Sequence, residues 1–170
     1  MKNILRNRLA LSTVVTTLII LVVSVLLAGV VTYFAINVTS TRVQEEALTL
    51  SYQHIWVNSD GDAVGAIMIT NTGGRDVVIS KITVRGQECT TMFADPAQSA
   101  TTDIAYAAAP ADPYVATTGS IVLPSGSTVG VMITSPDSIS LNDVGLTVAF
   151  TVFTSQAMYY KETNVQAAPA

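Results

Sequence analysis

The stretch that decides the fold runs from Leu9 to Thr41, LALSTVVTTLIILVVSVLLAGVVTYFAINVTST, 33 residues without a charge between Arg8 and Arg42. A secretory apolar core takes about 7–15 residues, and crossing a bilayer takes about 20; this run exceeds both. At about 1.5 Å per residue it reaches about 50 Å as a helix, against a hydrocarbon core of about 30 Å. Valine and threonine are abundant in it and favour strands in water. A lone segment in lipid must satisfy its own backbone, and that makes it helical. Thr32, Asn37, Thr39, Ser40 and Thr41 make the second half more polar. The membrane part is therefore placed at Leu11–Ile36, with the helix continuing through Arg42 and Glu46 to Ala47. The run is apolar on all sides, which suits burial in lipid or in a bundle of like helices. Ser12, Thr13, Thr16, Thr17, Ser24, Ala28 and Gly29 are small enough for close helix approach.

Charge gives the orientation. Lys2, Arg6 and Arg8 precede the run with no acid among them. A basic flank stays in the cytoplasm, so the chain beyond Arg42 lies outside. Leu26-Leu27-Ala28-Gly29 resembles a lipoprotein signal, but Val30 stands where the lipidated cysteine belongs. Beyond Arg42 there are four basic residues (Arg75, Lys81, Arg85, Lys161) and all twelve acids, a balance of −8. That excludes a basic nucleic-acid-binding face. At 49% hydrophobic and 12% charged, the chain is no disordered polymer. Its one cysteine, Cys89, cannot form an internal disulfide or a redox pair.

From Leu48 the period changes to alternation. Leu48, Leu50, Tyr52 and Trp56 share one strand face, with His54 among them. Asn58-Ser59-Asp60-Gly61 is a turn into Asp62–Asn71, where Val64, Ala66 and Met68 alternate with Ile67 and Ile69. Further strands are expected at Val77–Gly86, Ser120–Leu123, Val129–Ile133, Val144–Val152 and Met158–Thr163. Seven short strands with Gly, Asn, Asp and Pro turns predict a two-sheet sandwich. Ala94–Gly119 is read as a surface excursion with one short strand near Ile104–Tyr106, and Ala167–Ala170 as a loose tail. The fold class expected is α+β: a long apolar N-terminal helix followed by an all-β, immunoglobulin-like sandwich.

Catalytic and metal-binding patterns are thin. His54 is the only histidine and sits in a strand, so a structural role is expected. Asn58, Asp60 and Asp62 have the alternate spacing of a calcium loop, but Ala63 replaces the turn glycine and Ile69 the terminal glutamate. Asp-Gly between alternating runs is instead a hairpin signal. No cofactor and no enzyme activity are expected. Asn37-Val38-Thr39 is a complete N-glycosylation sequon just beyond the membrane part, and Asn37 is the candidate acceptor.

The chain resembles archaeal pilins and archaellins of the type IV pilin superfamily. The resemblance rests on the basic leader Met1-Lys2-Asn3-Ile4-Leu5-Arg6-Asn7-Arg8-Leu9-Ala10, the Leu11-Ser12-Thr13-Val14-Val15 opening and the long apolar helix. Ile69-Thr70-Asn71-Thr72-Gly73 leading into Val77–Gly86 looks like the archaeal members as well. Bacterial pilins usually carry a glutamate where Val15 stands, and they have a C-terminal cysteine pair that this chain lacks. The resemblance implies residues 1–10 as a leader removed by a prepilin peptidase between Ala10 and Leu11. It implies 11–47 as the filament-core helix, 48–166 as the extracellular β-domain and 167–170 as the tail. The implied partners are other copies of the chain, the peptidase, the membrane before assembly, and a membrane assembly platform with its ATPase. The implied product is a cell-surface, adhesive type IV pilus-like filament. The alternatives are a motility filament of the archaellum type and a membrane-anchored extracellular β-sandwich that binds a ligand.

Overall fold

A computed structural model describes the backbone of residues 2–43, 45–117 and 119–169, and the side chains of 11–40, 45–117 and 119–169. The chain separates into two compact units, residues 1–43 and 44–170.

The first unit is one helix, α1, spanning Lys2–Val43. No proline interrupts it, and Gly29 is its only glycine. Glu45, Glu46 and Ala47 are not helical, contrary to the expected end at Ala47. The second unit takes their carbonyls: Tyr159 Oη donates to Glu46 O at 3.2 Å, and the Thr72 and Gly73 N–H groups donate to Ala47 O at 2.9 and 3.1 Å.

The second unit is a ten-stranded curled sheet. Its strands are β1 (Leu48–Val57), β2 (Ala63–Asn71), β3 (Val77–Val84), β4 (Gln87–Glu88), β5 (Met92–Asp95), β6 (Val115–Thr117), β7 (Ile121–Leu123), β8 (Thr128–Thr134), β9 (Thr147–Thr154) and β10 (Met158–Ala167). They lie in the order β4-β3-β9-β10-β1-β2-β8-β5-β6, and β7 pairs with β3 along Val77–Ile79. Each pair is antiparallel except β1 with β10, which run parallel over Ile55–Val57 and Val165–Ala167.

Two register breaks keep the core continuous around the curl. In β1 the break lies between Ser51 and His54, with Tyr52 at φ 50°. Leu48 and Leu50 face the main core before it, and Ile55 and Val57 after it. The even-numbered face expected for Leu48, Leu50, Tyr52 and Trp56 is thus split: Trp56 turns to the opposite side. In β3 the break lies between Ile79 and Lys81. Val77 and Ile79 face the core before it, and Ile82 and Val84 after it. An extra residue bends a strand and flips its parity, so each break lets a curving strand keep its apolar side inward. The strand expected to reach Gly86 ends at Val84, because Arg85 and Gly86 both adopt positive φ and form the turn into β4.

The main core joins both halves of the curl: Ile67 and Ile69 of β2 and Val131 and Ile133 of β8 meet Ile79 and Ile82 of β3 and Phe150 and Val152 of β9. A second apolar cluster lies on the opposite face of β1, β2 and β8, where Trp56, Val64, Ala66, Met68 and Met132 pack under Ile104. The stretch expected as a surface excursion is therefore partly a cover. It has no strand at Ile104–Tyr106; its ends instead supply β5 and β6, which extend the sheet beyond β8. At the C-terminus Ala167 pairs with Val57, and the Ala168 N–H donates to Val57 O at 2.8 Å. The segment expected to be loose is tied to the sheet at least to Ala168.

Candidate functional site

The feature most in need of a partner is the surface of α1. Over Leu11–Ser40, 30 residues, the helix is long and apolar enough to cross a membrane. Every side chain in that span is exposed, from Leu11 at one end to Tyr33 (73%) and Phe34 (68%) towards the other. Apolar residues occupy all sides of the cylinder, so no stripe is favoured for packing. At about 25 cal/mol per Å² of apolar surface removed from water, covering this surface stabilises the chain.

Four hydroxyls in the run bond back within the helix. Thr16 Oγ1 donates to Ser12 O at 2.9 Å, Thr17 Oγ1 to Val14 O at 2.9 Å, Ser24 Oγ to Ile20 O at 2.7 Å and Thr32 Oγ1 to Ala28 O at 2.8 Å. A hydroxyl bonded back one turn presents no bare donor to lipid or to a packed neighbour. These residues thus offer close approach without a desolvation cost.

The proposed cleavage point lies on this helix. Leu11 is exposed, and Ala10 has helical backbone. The side chains of Ala10, Lys2, Arg6 and Arg8 lie outside the described residues. Asn37, the sequon acceptor, is an exposed helical residue.

In the second unit His54 joins β1 to the covering segment. Its Nε2 lies 3.0 Å from Asp103 Oδ1, and its ring stacks on Trp56 at 4.9 Å. Trp56 in turn meets the edge of Tyr106 at 5.7 Å. Among the described residues Asp103 is the hydrogen-bond partner of His54, and no serine or cysteine is bonded to it. A half-exposed pair of this kind contributes at most about 1 kcal/mol. Its place is at the margin of the second cluster.

The Asn58–Asp62 segment is a hairpin turn. Asn58 Oδ1 accepts the N–H groups of Asp60 and Asp62, both at 2.9 Å, and Gly61 takes φ 91°. The side-chain oxygen is thereby committed to the backbone of its own turn. Cys89 is buried, and that burial pushes its thiol up to about 11, so little thiolate is present at neutral pH. Asp143 is held below its ordinary range by hydrogen bonds from the Ser140 hydroxyl and N–H, both 2.8 Å, and by Arg85 Nη1 at 3.0 Å. These contacts fix the turn before β9 to the turn after β3.

Sequence reasoning missed the grip on Glu45–Ala47 by the turn after β2. Asn71-Thr72-Gly73-Gly74 carries turn residues, but nothing local marks Gly73 as the residue against which the chain entering β1 is packed. A Cβ at Gly73 would lie 2.7 Å from Glu45 O and 2.8 Å from Ala47 N.

Comparison with family models and with curated proteins finds no match. Among solved structures, a β-glucosidase from Listeria innocua in complex with glucose is similar over 74% of this chain and 16% of that chain, at 14% identity and a TM-score of 0.30. A likeness that distant bears on neither activity nor family.

Proposed function

We propose that this chain is the structural subunit of an archaeal type IV pilus-like surface filament and is not an enzyme. The observation that carries the reading is the uncharged 30-residue surface of α1, exposed on every side, with hydroxyls bonded back to its own backbone. A single membrane anchor needs about 20 residues of such surface. A bundle of identical helices covers the whole length and every side. The second unit, an immunoglobulin-like sandwich in this reading, lies on the outside and carries the acidic, soluble surface.

The order of events follows from charge. Lys2, Arg6 and Arg8 hold the leader at the cytoplasmic face while α1 sits in the membrane. Each basic group near anionic lipid contributes about 1 kcal/mol, so removing the leader loosens the helix by a few kcal/mol before extraction. A prepilin peptidase cuts between Ala10 and Leu11, and an assembly platform driven by its ATPase adds the helix to the growing bundle. Mass spectrometry of the N-terminus of the cell-surface form tests this. Leu11 as first residue is expected; Met1 retained on a membrane-bound monomer would instead mark an anchored binding protein.

A further inference from the structure

We propose that Glu45–Ala47 and the turns gripping them form a mechanical clamp, through which the β unit resists tension arriving along the chain from its N-terminal side. This rests on bonds within the β unit alone and stands whether or not copies assemble.

Tension from that side reaches β1 at Leu48. Its ladder with β2 begins there, with Leu48 opposite Asn71. Glu45–Ala47 precede that point, and three separate places hold them. The turn after β2 donates the Thr72 and Gly73 N–H groups to Ala47 O. The end of β9 donates Thr154 Oγ1 to a carboxylate oxygen of Glu46. The start of β10 donates Tyr159 Oη to Glu46 O at 3.2 Å. Contacts made to one short segment from β2, β9 and β10 stand between the pull and β1, so they must fail before Leu48 is loaded.

The gripping turn is itself braced. Asn71 is fully buried with each polar group engaged. Its Nδ2 donates to Arg75 O at 2.7 Å and to Leu123 O at 3.0 Å, and its Oδ1 accepts the Gly73 N–H at 3.0 Å. Its backbone N–H and carbonyl bond to Ser127 O and to the Gly126 N–H. Ser125 Oγ donates to Gly73 O at 2.6 Å, closing the turn from the other side. Gly73 supplies the closeness: a Cβ there would meet backbone atoms of Glu45 and Ala47, which have no rotamer by which to yield.

The test is single-molecule stretching of the full chain in detergent micelles, held by its two ends, with hydrogen exchange on the same samples. The variant is Glu46→Met with Tyr159→Phe, which removes the two side-chain bonds at nearly constant shape and leaves the Thr154 hydroxyl bonded within its own turn to Ala157. Gly73→Ala is the more severe companion. Thr147→Val is the control, since it removes the 2.8 Å bond to Asn164 elsewhere in the sheet. The double variant is expected to release β1 in a separate step at lower force. Amide protection over Leu48–Leu50 should fall about tenfold for the two lost bonds, with β8 amides unchanged. The proposal is overturned if the double variant unfolds at the wild-type force, or if Thr147→Val lowers the force and the β1 protection as much.

Discussion

Gly65 of β2 lies against the tip of the Phe150 ring of β9: a Cβ at Gly65 would stand 3.1 Å from Phe150 Cζ and 3.3 Å from Cε1. The two residues come from opposite halves of the curled sheet, and Phe150 is fully buried. Gly65 is therefore the place where the halves approach closely enough to admit a large ring only because a side chain is missing. Gly65→Ala should destabilise the β unit by about 1–3 kcal/mol through overpacking. Urea unfolding of Gly65→Ala alone and in a Phe150→Leu background measures this. The cost of the alanine should shrink in the second background, where the smaller side chain leaves room. Equal costs in both would show that the ring is not what Gly65 accommodates.

Asp143 gives a pH signature. Hydrogen bonds from Ser140, and then Arg85, hold its carboxyl below the ordinary 3.8, so the ionised form is favoured by folding. The resulting stability is present above that ordinary value and is lost as pH falls through the lower, folded-state value. Asp143→Asn should therefore cost stability at neutral pH, and the difference from wild type should close in acid below pH 3.8. Thermal melts of both proteins across that range check the sign. A difference constant with pH would mean the carboxylate charge is not involved.

Both apolar clusters of the second unit are built from residues after Ala47. A fragment beginning at Glu45 is expected to fold as a soluble monomer. Size-exclusion chromatography with light scattering reads this directly. Large oligomers that persist on dilution would place an association surface outside α1.

Much of this was legible in the sequence, for physical reasons that particular residues make plain. The apolar run announces α1 because no soluble surface tolerates 33 uncharged residues. Val148, Phe150 and Val152 mark β9 by simple alternation, and all three are buried. The same alternation misled at Val144 and Leu146, which are exposed and outside the strand, because Gly145 turns the chain at φ 90°. The breaks in β1 and β3 were not legible, since a shift of parity leaves the composition of a strand unchanged. β5 and β6 escaped notice because Met92–Asp95 and Val115–Thr117 are short and pair across a long connection. The cover over Trp56 did leave a trace. Val64, Ala66 and Met68 are as apolar as Ile67 and Ile69, and a strand apolar on both faces is covered on both.

The surface of α1 makes a sharp demand on any substitution within it. A carboxylate at Val23, as in Val23→Asp, would have to be desolvated without a partner at a cost of several kcal/mol, or take up a proton. Repeated in every copy, that should abolish filaments in cells producing only the variant. Electron microscopy of those cells reads the outcome, and normal filaments would show that this part of the run is not packed in a core.

The most direct test is cryo-electron microscopy of material sheared from cells that make this chain. The expected result is a helical filament whose central density is a bundle of α1 helices beginning at Leu11, with the β units on the outside. Absence of any such filament, with the intact chain recovered as a membrane-bound monomer still carrying Met1, would contradict it.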